Sequence, residues 1–316
     1  MNLVSMIVPM YNEELSIQSC IQTLKAQTNQ SFDVIFVDDG SSDNTLLNLT
    51  KTLKSGVQFS YKIIEQKNKG AAAARREGVN HASTEFIMIF DCDDKLSNDL
   101  VNEIYKKYND YVDVDIIMPD MCVQRENSEW SNFIFYTLDI EMEPWDCIKN
   151  SLDGWYIHGC FAIRKFIIDK SYRDYEQYNK NNENYINNDE VITRLNFKNS
   201  KKIVRSSAKY YYCYNILSTT KKINEKKYLT IKNALILDMI YSDNTEIESS
   251  VKNELIAVIW ANSRYMHQYK AEFNNIAEWE KVIGESIVKL NYLELFSKIN
   301  LKKKIQLTIL KLINLF

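Results

Sequence analysis

An alternation of two periodicities fills the first 110 residues of this chain, and it constrains the fold more than any other feature. Apolar runs rich in Val, Ile and Phe stand at 3–10, 32–39 and 85–90, and a further strand-like segment stands at 57–66. Between and after them, at 13–27, 42–55, 69–82 and 97–108, the apolar residues recur at helical spacing, as Leu15, Ile17, Cys20, Ile21 and Leu24 do. Runs without a polar alternate read as strands buried on both faces. Strands that take turns with helices through short connections form a mainly parallel sheet covered by helices on both sides, so the expected fold class is α/β. Crossovers in such a sheet are right-handed, and ligands bind beyond the carboxyl ends of its strands. Ser42 or Asp43 is placed to cap the second helix.

The rhythm changes after residue 110. Segments 114–124 and 130–138 read as paired strands, 187–197 as a helix and 201–214 as a further strand. From about Asn224 the pattern is helical throughout. A boundary near residue 220 follows, with a first domain at 1–220 (halves 1–110 and 111–220) and a helical region at 221–316. The polar, Asn-rich stretch 175–188 reads as a loop.

Composition narrows the function. A net charge of -3 argues against nucleic-acid binding, which calls for a basic surface. The six cysteines show no Cys-x-x-Cys spacing, which argues against structural zinc and suits reduced thiols in the cytosol. No stretch has the length of a transmembrane helix. The first strand opens almost at Met1, so no signal peptide and a cytoplasmic location are expected.

Three polar clusters close successive strands: PMYNEE at 9–14, DDGSSDNT at 38–45 and DCDD at 91–94. Asp-Asp-Gly alone is a common turn. In a parallel sheet, however, all three fall at one edge and line one crevice. The run FIMIF is followed at once by Asp91, Asp93 and Asp94, whose mutual repulsion is costly unless solvent absorbs it in a loop or a cation sits among them. Asp91 and Asp93 are hard oxygen ligands suited to Mg²⁺ or Mn²⁺. Tyr11 offers a ring to stack on a nucleobase, and Asp38 or Asp39 a carboxylate to hydrogen-bond it. A cation bridging to a diphosphate would stabilise charge on a departing nucleoside diphosphate.

The segments MIVPMYNEE, FVDDGSSDNT, NKGAAAARREG and FDCDD, in this order and spacing, resemble the family 2 glycosyltransferases of the GT-A fold, over roughly residues 1–215. The resemblance implies a Rossmann-like, mixed but mainly parallel sheet flanked by helices, with a helical C-terminal appendage. It implies a nucleotide-sugar site built from Pro9, Tyr11, Asn12, Glu13, Asp38, Asp39, Asn68, Gly70, Arg75, Asp91, Cys92 and Asp93, with Asp93 and Asp91 on the metal. Arg76 stands where the family usually has asparagine. The family's catalytic acidic pair matches Asn188 and Asp189 in NNDEVITRL, which makes Asp189 the expected base, with Glu190 beside it as the rival. A helix N-cap is the structural alternative for Asn188 or Asp189. GWYIHGCF at 154–161 matches the acceptor region, so Trp155 and His158, with Glu190, are acceptor candidates, although a buried aromatic with a satisfied histidine fits equally well. Tyr210 and Tyr212 read as strand core, and Ser218 and Lys221 as residues that reach the diphosphate.

The activity so implied is inverting transfer from a nucleoside-diphosphate sugar, UDP-linked by family habit, to a glycan or lipid-linked glycan in bacterial surface polysaccharide synthesis. A sugar nucleotidyltransferase is the nearest rival enzyme, but PMYNEE lacks that class's glycine-rich basic loop. A non-catalytic nucleotide-sugar-binding protein is the rival of another class, opposed by the intact DCDD and the acid at 189.

The last segment, 299–316, carries Leu301, Ile305, Ile309, Leu312, Ile313 and Phe316 on one helical face, with Lys302, Lys303, Lys304 and Lys311 and no acid. This is the pattern of a basic amphipathic helix on an anionic bilayer, at the inner face of the cell membrane. A packed helix and a dimer interface are the alternatives.

Overall fold

The computed structural model describes residues 2–155, 157–180, 183, 186–215, 222–241, 243–290, 296 and 298–313. The chain separates into two compact units. The first holds Met1–Ile148, Trp155–Asn184 and Ile192–Asn215; the second holds Lys149–Gly154, Tyr185–Val191 and Ile216–Phe316.

The first unit is built on a mixed sheet. Its strands are β1 (Val4–Met10), β2 (Asp33–Asp38), β3 (Ser60–Glu65), β4 (Phe86–Ile89), β5 (Lys95–Leu96), β6 (Ile116–Gln124), β7 (Trp130–Asn132), β8 (Glu141–Met142), β9 (Ala162–Arg164) and β10 (Ile203–Tyr212). They run in the order β3-β2-β1-β4-β9-β6-β10-β5, with β7 on β6 and β8 on β10. The β1–β2, β2–β3, β1–β4 and β6–β10 pairs are parallel, while β9 lies antiparallel between β4 and β6. Helices α1 (Ile17–Lys25), α2 (Thr45–Lys54), α3 (Ala71–His81) and α4 (Leu100–Asp110) connect the early strands, as the alternation requires. Helices α5 (Pro144–Leu152), α6 (Lys165–Tyr178) and α7 (Asp189–Asn199) follow.

Strand β1 is central, and Val4, Met6, Ile7 and Val8 are fully buried, which explains an apolar run with no polar alternate. Helix α3 approaches this strand through Gly78, where an added Cβ would lie 2.2 Å from the Ile7 Cγ2 and 3.3 Å from the Val37 Cγ2. Ile7 is β-branched and fully buried, so its χ1 freedom to move aside is restricted. We therefore expect Gly78→Ala to destabilise by about 1–3 kcal/mol through overpacking, against a gain of ~1 kcal/mol in helix propensity. Urea titration of the variant checks this, and an unchanged midpoint refutes the close approach.

Two expectations from the sequence need correction. The strand expected over 130–138 ends at Asn132. Beyond it the chain leaves the sheet, because Phe133, Phe135 and Tyr136 turn onto Trp155, with ring centroids 5.0–6.5 Å apart. Arg205 pins this loop: Nη1 donates to the Thr137 carbonyl at 2.8 Å, Nη2 to Asp120 Oδ1 at 2.9 Å, and the guanidinium lies 4.1 Å from the Phe135 centroid. The Asn-rich stretch begins inside α6, which runs to Tyr178, where Tyr172 and Tyr175 give the helix a buried face.

The second unit contains α8 (Leu229–Tyr241), α9 (Glu248–Tyr269), α10 (Ile276–Lys289) and a terminal helix, α11 (Leu301–Ile313). Its core centres on the fully buried Trp279, which stacks on Phe273 at 5.0 Å. Helix α11 contributes Leu307 and Leu310 to that core. The stripe singled out in the sequence lies elsewhere on α11: Leu301 is 73% exposed, Ile305 55% and Leu312 54%. The terminal helix is thus apolar on a packed face and on an exposed one. No helix among the described residues is long and apolar enough to cross a membrane.

Candidate active site

The register places Met10 beside Asp38, and Ile7 beside both Ile35 and Ile89, so β2, β1 and β4 end side by side. The three polar clusters therefore meet at one edge of the first unit.

The turn after β1 is laced to the loop after β2. Asn12 takes the left-handed region, φ 56°, which asparagine tolerates. Its amide accepts that constraint for a scaffold role: Oδ1 accepts from Ser42 N at 2.8 Å and its own N donates to Ser41 Oγ at 2.9 Å. Glu13 N donates to Thr45 Oγ1 at 2.7 Å. Tyr11 follows Pro9 and Met10 out of the sheet and remains 45% exposed.

Asp38 and Asp39 have separate tasks. Asp39 Oδ1 accepts from Gln66 Nε2 at 2.7 Å and Lys69 N at 2.8 Å, and Oδ2 accepts from Gly70 N at 2.7 Å. It thereby satisfies backbone donors at the start of α3. Gly40, at φ +74°, lets this loop close, since a Cβ there would sit 2.9 Å from the Asn68 N. Asp38 Oδ2 accepts from Ser41 N at 3.2 Å, while its buried Oδ1 has no partner among the described residues. A buried carboxylate oxygen left unpaired is costly, and a ligand donor would relieve it.

The two arginines of α3 also differ. Arg75 donates to Asp91 Oδ1 at 3.2 Å. Arg76 reaches away to α6, 3.4 Å from Asp169 and from Glu176 and 4.6 Å from the Tyr172 centroid. It ties two helices together, which accounts for the departure from the family pattern at this position.

Among the described residues, the carboxylates at the end of β4 outnumber the positive groups that pair with them. Burial, chiefly, raises the Asp93 carboxyl; a hydrogen bond from Asn215 Nδ2, at 2.8 Å, partly offsets this, while Asp91 adds to it. Burial lifts Glu13 to about 7, with Asp93 and Asp91 contributing. Asp94 is lifted to about 8 by burial and by Asp91. Cys92 points into the core against Cys20, so only its backbone is available to a ligand. Among the described residues no three His, Cys, Asp or Glu side chains converge as a metal cage. Two carboxylates with the remaining positions left to water and phosphate are what Mg²⁺ commonly takes, so Asp91 and Asp93 fit a nucleotide-bound cation.

The remaining candidates are more scattered. Trp155 is buried in the aromatic cluster with Phe133, Phe135, Tyr136 and Phe197, and its Nε1 has no partner among the described residues. His158 is half-buried. Asp189 and Glu190 occupy the first turn of α7, entered through Asn187 at φ 59°, and cluster with the second unit. Tyr210 is fully buried as expected, whereas Tyr212 is 45% exposed. Ser218 and Lys221 lie outside the described residues. Asn215 and Asp94 carry contacts that no sequence motif announced.

The model of the family described as glycosyl transferase family 2 matches residues 5–172, more than half of the chain. The chain belongs to glycosyl transferase family 2. Among its relatives, glycosyltransferase GlyA of Streptococcus pneumoniae is 33% identical over 110 residues, 34% of this chain and 15% of GlyA. The Escherichia coli UDP-Glc:alpha-D-GlcNAc-diphosphoundecaprenol beta-1,3-glucosyltransferase WfgD is 33% identical over 118 residues, 34% of this chain and 46% of WfgD. The chain thus spans less than half the length of these relatives. The crystal structure of S. aureus TarS 1-349 in complex with UDP superposes with a TM-score of 0.67 at 17% identity, covering 98% of this chain and 87% of TarS 1-349. That similarity shows the fold, and it agrees with the GT-A architecture expected from the motifs.

Proposed function

We propose that this family 2 member transfers a sugar from a nucleoside-diphosphate sugar, UDP-linked, to a glycan or lipid-linked glycan in the synthesis of a bacterial surface polysaccharide. The observation that carries the donor assignment is the buried, unpartnered Asp38 Oδ1 beside the exposed Tyr11 and the acidic end of β4. Uracil offers an imino N–H to that oxygen, and Tyr11 offers a ring for the base to stack on. Arg75 and the Asn68–Gly70 turn flank the donor. Asp93, with Asp91, holds Mn²⁺ or Mg²⁺, which supplies charge neutralisation for the diphosphate. The UDP complex of TarS and the lipid-linked acceptor in the name of WfgD support this donor and acceptor class.

Residues 1–220 form the catalytic domain in this reading, 1–110 its nucleotide half and 111–220 its acceptor half. Asp189 takes its role from its match to the family's acidic pair. It accepts the proton of the acceptor hydroxyl as that oxygen attacks C1 from the face opposite the diphosphate. The C1–O bond breaks, the nucleoside diphosphate leaves with the electron pair, and the anomeric configuration inverts. Trp155, His158 and Glu190 fall to the acceptor.

A nucleotide panel tests the donor assignment. UDP raises the melting temperature by mass action, while CDP and ADP, which lack an imino N–H donor on the base edge, do not. Equal shifts with all three discard Asp38 as the base reader.

The exposed face of α11 suits an anionic membrane, where each lysine near the surface contributes about 1 kcal/mol and apolar burial adds more. Lys302 is exposed beside Leu301. Because Leu307 and Leu310 are core, deletion of the helix would unfold its unit, and substitution of the exposed face is the cleaner probe. We expect Leu301→Gln with Ile305→Gln to abolish sedimentation with phosphatidylglycerol vesicles at low salt while the melting temperature holds. Wild-type protein that ignores such vesicles disproves the membrane role.

A further inference from the structure

We propose that Asp94 and Tyr210 are positioning residues that hold the Asp91–Asp93 turn in its cation-binding geometry; the inference rests on the cation reading above. The turn is short, closed by Asp94 N donating to the Asp91 carbonyl at 3.1 Å. It is fastened to a strand more than a hundred residues away in sequence. The Tyr210 hydroxyl donates to Asp94 Oδ2 at 2.6 Å and accepts from Asp91 N at 3.3 Å. Asp94 Oδ1 accepts from Cys213 N at 2.8 Å. Asn215 Nδ2 donates to Asp93 Oδ2 at 2.8 Å. The end of β10 and the residues after it thus touch Asp91, Asp93 and Asp94 in turn. Strand β5 completes the frame, since Leu96 and Lys95 pair with Tyr210 and Tyr211.

Burial makes this arrangement stiff. Tyr210 is fully buried and Asp94 is 2% exposed, so no water replaces either partner. The Tyr210 ring sits edge-on to Phe90 at 6.2 Å, which fixes the hydroxyl directly behind the turn. A single hydroxyl therefore sets the backbone of one carboxylate-bearing residue and the side chain of another. Neither Asp94 nor Tyr210 is assigned to the ligand. Their effect passes through Asp91 and Asp93, as outer-shell partners act on metal ligands.

Tyr210→Phe removes one oxygen and keeps the ring. The test titrates Mn²⁺ in the presence of UDP and reads free Mn²⁺ by electron paramagnetic resonance, independently of turnover. Outer-shell substitutions typically weaken metal affinity by about 10–100-fold, and a loss of roughly tenfold or more is expected here. Tyr105→Phe is the control: its hydroxyl likewise donates once, here to a backbone carbonyl (Ser31 O, 2.7 Å), and accepts a backbone N–H (Leu3 N, 3.0 Å), but away from the turn. It should lower the melting temperature without moving Mn²⁺ affinity. Asp94→Asn, which retains only part of the hydrogen-bond set, should weaken Mn²⁺ binding in the same direction and serves if Tyr210→Phe does not fold. Wild-type affinity in a folded Tyr210→Phe or Asp94→Asn variant overturns the proposal while the cation reading stands. No Mn²⁺ binding by the wild type overturns both.

Discussion

Asp93→Asn should leave the protein folded and take away at least 10²-fold of its transferase rate, the usual scale for loss of one preorganised charge at a departing group. The side chain is half-buried, its carboxyl is raised by desolvation and by Asp91, and Asn215 Nδ2 donates a hydrogen bond to it. Removing its charge relieves repulsion in the empty crevice, so the melting temperature without ligand should hold or rise. The same substitution removes one of the two proposed cation ligands, so the stabilisation by UDP with Mn²⁺ should shrink. Chelation of the wild type with EDTA should reproduce the loss of rate. A variant that works at nearly the wild-type rate in EDTA would disprove the metal assignment.

Asp189→Asn should cost on the order of 10² to 10⁴ in rate, the contribution of a positioned general base. Donor binding should survive, because Asp189 is not among the residues assigned to the donor. Glu190→Gln should cost far less. The measurement is single-turnover transfer with UDP binding followed in parallel. Reversal of the order would move the base to Glu190, and loss of UDP binding in Asp189→Asn would show that this residue supports the donor site and does not act as a base alone.

The parts of the fold legible in the sequence are those whose signal is local. Strands β1, β2 and β4 are continuous apolar runs, and the clusters that close them share an edge because the sheet is parallel. Strand β9 is not legible in the sequence, because three residues carry no period, although it joins the two halves of the sheet. The division of labour between Asp38 and Asp39 was equally hidden. Adjacent acids look alike in sequence, and only the return of Gln66, Lys69 and Gly70 to Asp39 shows which carboxylate is engaged. Arg76 depends on Asp169 and Glu176, and Asp94 on Tyr210, partners set by tertiary structure. Helix α11 shows a further limit: its exposed stripe was conspicuous, but the burial of Leu307 and Leu310 required the other helices of its unit.

Co-crystallisation with UDP and Mn²⁺ tests the central claim most directly. The account predicts the uracil ring against Tyr11 with its imino nitrogen within hydrogen-bond distance of Asp38 Oδ1, and Mn²⁺ between the diphosphate and the Asp93 carboxylate. Nucleotide bound away from the carboxyl ends of β1, β2 and β4, or Mn²⁺ bound without Asp93 or Asp91, would contradict it.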